Sequence, residues 1–215
     1  MTKLAIFDVD GTLVDSQAHI LGAMAHAFAA IGQPCPPREA VLGIVGLSLP
    51  EAMARLAPEE DGAALVAAYK DSFGTLRAER DSPLYPGARE ALHRLAARGV
   101  VLGIATGKSR RGLTHVLGAH GLAGMFATTQ VADDHPSKPH PSMLLSALAE
   151  TGIGAREAVM IGDTSFDMEM GRAAGMRRLG VSWGYHPVAA LTAAEVVIDG
   201  FAALDAALAE FWGQE

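Results

Sequence analysis

Apolar positions cluster in two textures along the chain. Leu4 to Phe7 is a short uninterrupted apolar run, the pattern of a strand buried on both faces of a parallel sheet. From about Asp15 to Arg80 the apolar residues recur at helical spacing. Ile20, Met24, Ala27, Phe28 and Ile31 form one stripe, and Leu65, Val66, Tyr69, Phe73 and Leu76 form another. These predict helices over Ser16 to Gly32 and Glu59 to Arg80, with shorter ones over Arg38 to Ile44 and Glu51 to Ala57. Ser48-Leu49-Pro50-Glu51 has the form of a capping box at the start of the last of these. Asp81 to Gly87, with Pro83, Pro86 and Gly87, reads as a linker.

Beyond it the pattern alternates. Strands are predicted at Val100 to Ala105, Phe126 to Thr129, Ala158 to Ile161, Arg178 to Ser182 and Val196 to Ile198. Helices are predicted over Ala88 to Arg98, Ser109 to His120, Pro139 to Thr151, Phe166 to Ala174 and Phe201 to Trp212. Such alternation specifies an α/β fold, a doubly wound parallel sheet with Rossmann-like order. The expected organisation is an α/β core over 1–14 and 83–215, with a small all-α cap over 15–82 inserted after the first strand.

The 215 residues are half hydrophobic and 19% charged, enough for a substantial core. Seventeen basic against twenty-four acidic residues give a net charge of −7, and no basic stripe suited to nucleic acid stands out. The short clusters Lys108 to Arg111 and Arg172 to Arg178 read as ordinary helix-face charges. Cys35 is the single cysteine, so an intramolecular disulfide is excluded. No leader pattern or apolar stretch of the ~20 residues a membrane helix needs is visible. The expectation is a cytoplasmic protein with no membrane or nucleic-acid partner; its oligomeric state is not readable.

Polar residues stand where the strands end. The first strand runs into Asp8-Val9-Asp10-Gly11-Thr12. Two carboxylates so close repel unless a cation or shared proton compensates, which points to a hard divalent metal such as Mg²⁺; capping or turn roles are the alternative. The second strand ends at Thr106-Gly107-Lys108-Ser109, the next leads past Asp133 and Asp134 to Lys138, and the fourth ends at Gly162-Asp163-Thr164, with Asp167 one turn on. In a parallel sheet these ends share one edge, where ligands bind. Carboxylates for a metal, with Lys and backbone N–H groups for an anion, are what phosphoryl transfer requires. Gly103 to Ser109 is not a Walker A loop, having three rather than four residues between its glycines.

With these residues in place, the chain resembles the haloacid dehalogenase superfamily, in its phosphoglycolate phosphatase-like branch. Asp8 to Thr12 matches the D-x-D-G-T motif, Thr106 the second motif, Lys138 the third and Gly162 to Asp167 the fourth, G-D-x-x-x-D. The resemblance implies a Mg²⁺-dependent phosphatase acting on a small phosphorylated metabolite. Asp8 is then the nucleophile that forms an aspartyl-phosphate, and Asp10 the acid and base. The metal ligands are Asp8, Asp163 and the Asp10 backbone carbonyl. Thr106, Gly107 and Lys138 bind the phosphoryl group, and Asp167 supports metal waters or orients Lys138. Asp10 argues against halide removal, and Lys70 carries no mark of the imine-forming lysine of phosphonate-cleaving members. Sugar phosphomutases share all four motifs and stay open as an alternative. A non-catalytic receiver-like module, a different class, fits less well, because Asp8 follows the first strand and a second acidic pair follows Lys138. Substrate selection is expected in the helical segment, with Arg38, Arg55, Arg77, Arg80, Leu47 and Ser48 as candidates. Trp183, Tyr185 and His186 are expected to anchor a loop rather than line the mouth.

Overall fold

The computed structural model describes residues 2–213 apart from position 80, and the backbone alone over 74–79. Arg80 and the Arg77 side chain therefore lie outside the described residues.

Strand β1 (Leu4–Phe7) leads into a helical segment of α1 (Gln17–Ala30), α2 (Arg38–Leu42), α3 (Leu49–Leu56) and α4 (Gly62–Glu79). Then follow α5 (Ala88–Ala97), β2 (Val101–Thr106), α6 (Arg110–Ala119), β3 (Thr128–Val131), α7 (Ser142–Thr151), β4 (Ala158–Gly162), α8 (Ser165–Ala173), β5 (Arg177–Val181), β6 (Val196–Ile198) and α9 (Leu204–Gly213). The six strands form one sheet in the order β3-β2-β1-β4-β5-β6, and every pairing is parallel. This is the doubly wound order, whose topological switch point lies between β1 and β4. In register, Phe7 lies between Ile104 of β2 and Ile161 of β4.

All four β1 residues are fully buried because the sheet is covered on both sides. Ala5 and Phe7 face a core completed by Leu92 and Leu95 of α5, Leu113 of α6 and Leu204 and Leu208 of α9. Leu4 and Ile6 face the opposite core, with Met143 and Leu144 of α7 and Met170 of α8. This alternation is the period-two geometry of a strand.

The β3 strand lies two residues later than its apolar pattern predicts. Thr128 and Gln130 point into the protein and are almost wholly buried, yet both find partners. The Glu150 carboxylate of α7 accepts from Thr128 Oγ1 at 2.5 Å and from Gln130 Nε2 at 2.9 Å. A buried polar strand is tolerated when its groups are satisfied this way.

The helical segment has its own apolar core, with Ile20, Met24, Ala27 and Phe28 of α1 packed with Val41, Leu42, Met53 and Leu65. Its two crossings lie side by side: Asp15 N donates to Pro83 O at 2.9 Å and Tyr85 N to Leu13 O at 2.9 Å, around an antiparallel bridge between Val14 and Leu84. The expected capping box of α3 does not form. Ser48 is the N-cap without a side-chain cap bond, Glu51 pairs instead with Arg55 at 3.1 Å, and Ser48 N donates to Ser137 Oγ at 2.8 Å.

Candidate active site

Asp8 continues the line of β1, its N–H donating to Ile161 O at 2.9 Å. Its carboxylate is 1% exposed. Oδ1 forms an ion pair with Lys138 Nζ at 3.0 Å, and neither oxygen has a hydrogen-bond partner. The Lys138 ammonium, equally buried, also donates to Asp167 Oδ1 at 2.7 Å. The other Asp167 oxygen closes the capping box of α8, accepting from Thr164 N at 3.1 Å and Thr164 Oγ1 at 2.6 Å.

Asp163 is fully buried beside them. Thr12 Oγ1 donates to its Oδ1 at 2.9 Å, and Tyr185 N to its Oδ2 at 2.8 Å. Two glycines make room for it. A Cβ on Gly11 would stand 2.2 Å from Asp163 Oδ2, and one on Gly184 2.0 Å from Asp163 Cβ. Gly11 also has φ +83°, a region that favours glycine. Asp8, Asp163 and Asp167 each bring an oxygen within 4.8 Å of the others.

Three carboxylates thus share a buried site with one ammonium. Burial pushes the Asp8 carboxyl up to about 7; Lys138 opposes this, while Asp167 and Asp10 add to it. Asp163 is raised well above the carboxylate range by burial first, then by Asp167 and Asp8. Burial pulls the Lys138 ammonium down, but Asp167 and Asp8 outweigh it and hold the group charged. Unbalanced buried charge is costly. The negative excess and the unpartnered Asp8 Oδ2 fit a hard divalent cation with oxygen ligands.

A cavity of about 580 Å³ opens on this edge. Asp8, Asp10, Thr106 and Gly107 line its floor, and Ile20, Met24, Val45, Leu47, Tyr69 and Phe73 belong to its walls. Lys138, Asp163 and Asp167 stand behind the floor and are not part of the cavity wall. The structure therefore gathers the seven site residues expected from the sequence at one edge in two groups, with Asp8 common to both. Gly107 touches the helical segment by backbone: a Cβ there would lie 2.5 Å from Leu47 O and 2.7 Å from Gly46 O.

Of the expected selectivity residues, Leu47 and Ser48 line the cavity. Arg38 and Arg55 do not; Arg38 donates to Gln17 Oε1 at 2.9 Å, and Arg55 lies over the Phe166 ring while paired with Glu51. Trp183, Tyr185 and His186 do anchor the loop. Trp183 Nε1 donates to Thr12 O at 3.1 Å, Tyr185 OH accepts from Ser16 N at 2.9 Å, and His186 Nδ1 accepts from Ser165 N at 3.2 Å. Lys108 is not a helix-face charge: its Nζ lies 2.7 Å from both Asp10 oxygens. Ser16 Oγ also donates to Asp10 Oδ1. The signal available for Lys108 was its place directly after Thr106-Gly107 at a strand end.

The comparisons agree with this geometry. The family model described as "Haloacid dehalogenase-like hydrolase" matches residues 5–181. The chain is 37% identical over 210 residues to "Probable phosphatase IndB" of Dickeya dadantii, covering 94% of this chain and 91% of that protein. It is 32% identical over 195 residues to a phosphoglycolate phosphatase of Haemophilus influenzae, covering 86% and 87%. A solved hydrolase from Pseudomonas syringae superposes with a TM-score of 0.86 at 27% identity, covering 98% and 99%. The chain belongs to the haloacid dehalogenase-like hydrolase family. Within it, the chain falls in the phosphoglycolate phosphatase-like branch and is a phosphoric monoester hydrolase. No helix among the described residues is long and apolar enough to cross a membrane.

Proposed function

We propose that the chain hydrolyses a small phosphate monoester in two steps through an aspartyl-phosphate on Asp8. The observation that carries this is the Asp8 carboxylate, buried at the end of β1 with neither oxygen hydrogen-bonded and on the cavity floor beside Thr106 and Gly107. In the first step an Asp8 oxygen attacks phosphorus, the ester P–O bond breaks, and Asp10 gives its proton to the departing alcohol oxygen. In the second, water attacks the phosphoryl group, Asp10 takes the water's proton, and phosphate leaves with Asp8 restored. Lys138 fixes the nucleophile and, with Thr106 Oγ1 and the Gly107 N–H, holds the phosphoryl oxygens. Mg²⁺, held by the Asp8 and Asp163 carboxylates and the Asp10 backbone carbonyl, would supply neutralisation of the charge on the phosphate and the buried carboxylates.

The segment from 15 to 82 acts as a cap. Its apolar wall excludes water and selects the alcohol portion of the ester, and it opens for exchange. Phosphoglycolate, the substrate for which the H. influenzae relative is named, is a candidate; its carboxylate would meet Lys70 or Arg111, the two other cations on the cavity wall among the described residues.

The test is phosphate release from a panel of phosphoglycolate, hexose phosphates, nucleoside monophosphates and pyrophosphate, with Mg²⁺ and with chelator. Metal-dependent release from one or two esters is expected. Folded protein that takes up Mg²⁺ and releases phosphate from none would overturn the reading. Transfer of phosphate between sugar hydroxyls without net release would assign a mutase instead.

A further inference from the structure

Lys108 has no part in that scheme, yet it holds the side chain of one of its two central residues. We infer that Lys108 is a positioning residue, which keeps the Asp10 carboxylate in the orientation from which it exchanges protons with the departing alcohol and the hydrolytic water. The inference rests on the two-step phosphatase reading and extends it to the group that aims its acid and base.

Lys108 Nζ lies 2.7 Å from Asp10 Oδ1 and 2.7 Å from Oδ2, so one ammonium spans the carboxylate. The two side chains are 8% and 13% exposed, against 46% and 45% for the surface pair Arg55–Glu51. Exposed pairs are screened and contribute little, whereas a shielded pair holds its geometry. Further contacts hold both ends. Ser16 Oγ donates to Asp10 Oδ1, the Lys108 ammonium stands 5.4 Å from the centre of the Phe73 ring on α4, and Lys108 N donates to Thr106 Oγ1 at 3.2 Å. The first holds Asp10, and the other two direct the Lys108 chain from the end of β2 toward the loop after β1.

The site thus divides two aspartates between two lysines. Lys138 holds Asp8 from behind the floor, and Lys108 holds Asp10 on the cavity side. An acid or base works only when held in near-attack geometry. Loss of Lys108 therefore slows both proton transfers, to the departing alcohol oxygen and from the hydrolytic water. The alternative is that Lys108 is a phosphate ligand, since it also lines the cavity.

The experiment compares the wild type, Lys108→Met and Lys108→Arg on whichever ester of the panel the wild type turns over fastest. Steady-state constants are measured together with thermal melting. For Lys108→Met, kcat is expected to fall about 100-fold, within the range of general acid–base contributions. The ratio kcat/KM should fall by a similar factor with KM within about threefold, and the cooperative melting transition should be retained. Lys108→Arg should restore most of kcat, because a guanidinium can also span both oxygens. A rise in KM with kcat kept would make Lys108 a phosphate ligand and overturn the inference. A loss of kcat that Lys108→Arg does not recover, or one accompanied by a lost melting transition, would also overturn it, by showing damage to the fold. A wild type that hydrolyses no ester would overturn the phosphatase reading and this inference together.

Discussion

The carboxyl edge of the sheet and the helical wall above it meet the same cavity with opposite chemistry. Asp8, Asp163, Asp167 and Lys138 are each no more than 1% exposed, and each is tied to a strand end or a helix cap by bonds of 2.6–3.2 Å. The wall offers Ile20, Met24, Val45, Leu47, Tyr69 and Phe73, side chains that pack without fixed directions. Asp8 and Asp163 directly follow β1 and β4, strands each pinned by two neighbours, while Lys138 and Asp167 are held by their ion pair and by the cap of α8. On the proposed reading, the wall that accommodates the variable part of the ester is made of side chains that can repack at modest cost. The division predicts that sheet-side changes act on turnover, and that changes at the junction act on both.

The largest effect tests the sheet side alone. Asp8→Asn should lower kcat by about 10⁴-fold or more with the circular dichroism spectrum and melting cooperativity retained; a folded, active variant would end its assignment as nucleophile. Next comes the charge excess around Asp163. Mg²⁺ at a hundred times its dissociation constant should stabilise the wild type by about 2.7 kcal/mol, read as a rise in melting temperature. Asp163→Asn should abolish that rise, while its metal-free form should melt no lower than the wild type, since one of three crowded carboxylates has gone. A full Mg²⁺ response in Asp163→Asn would place the metal elsewhere.

The junction comes third. Gly107→Ala forces its Cβ against the carbonyls of Gly46 and Leu47, so about 1–3 kcal/mol of stability should be lost, with kcat/KM falling on every ester. Unchanged stability and kcat/KM would show that the two regions are looser than their contact distances imply.

The smallest effect is on acid stability. Burial holds His186 below its ordinary value of 6.5. The unfolded chain then binds the proton first, so this residue's contribution is full above about pH 6.5 and is lost as the pH falls below it. His186→Gln should flatten the loss of melting temperature between pH 7 and 5, measured side by side with the wild type; identical curves would remove His186 as a cause.

The strand ends were legible in the sequence because continuous apolar runs stop abruptly at polar residues, and a parallel sheet brings such stops to one edge. Asp8, Thr106 and Asp163 are all found there. The start of β3 was not, since Thr128 and Gln130 look like surface residues until Glu150 of α7 is seen to satisfy them. Lys108 read as a helix-face charge for a related reason: its partner Asp10 lies 98 positions away, and spacing carries no information about such a pair. The direction of Arg38 and Arg55 was equally hidden, because helical periodicity shows which residues share a face but not which face meets the cavity.

The paired crossings at Asp15–Pro83 and Leu13–Tyr85 have an evolutionary consequence. Because the chain leaves and re-enters the sheet through two hydrogen-bonded neighbours, the gap that any inserted segment must bridge is short and constant. Closing a loop costs only about 0.6 kcal/mol more for each doubling of its length. Lineages can therefore exchange, lengthen or trim the whole insert at this doorway while inheriting the chemical edge unchanged. New substrates can then be acquired by grafting, without rebuilding the machinery beneath.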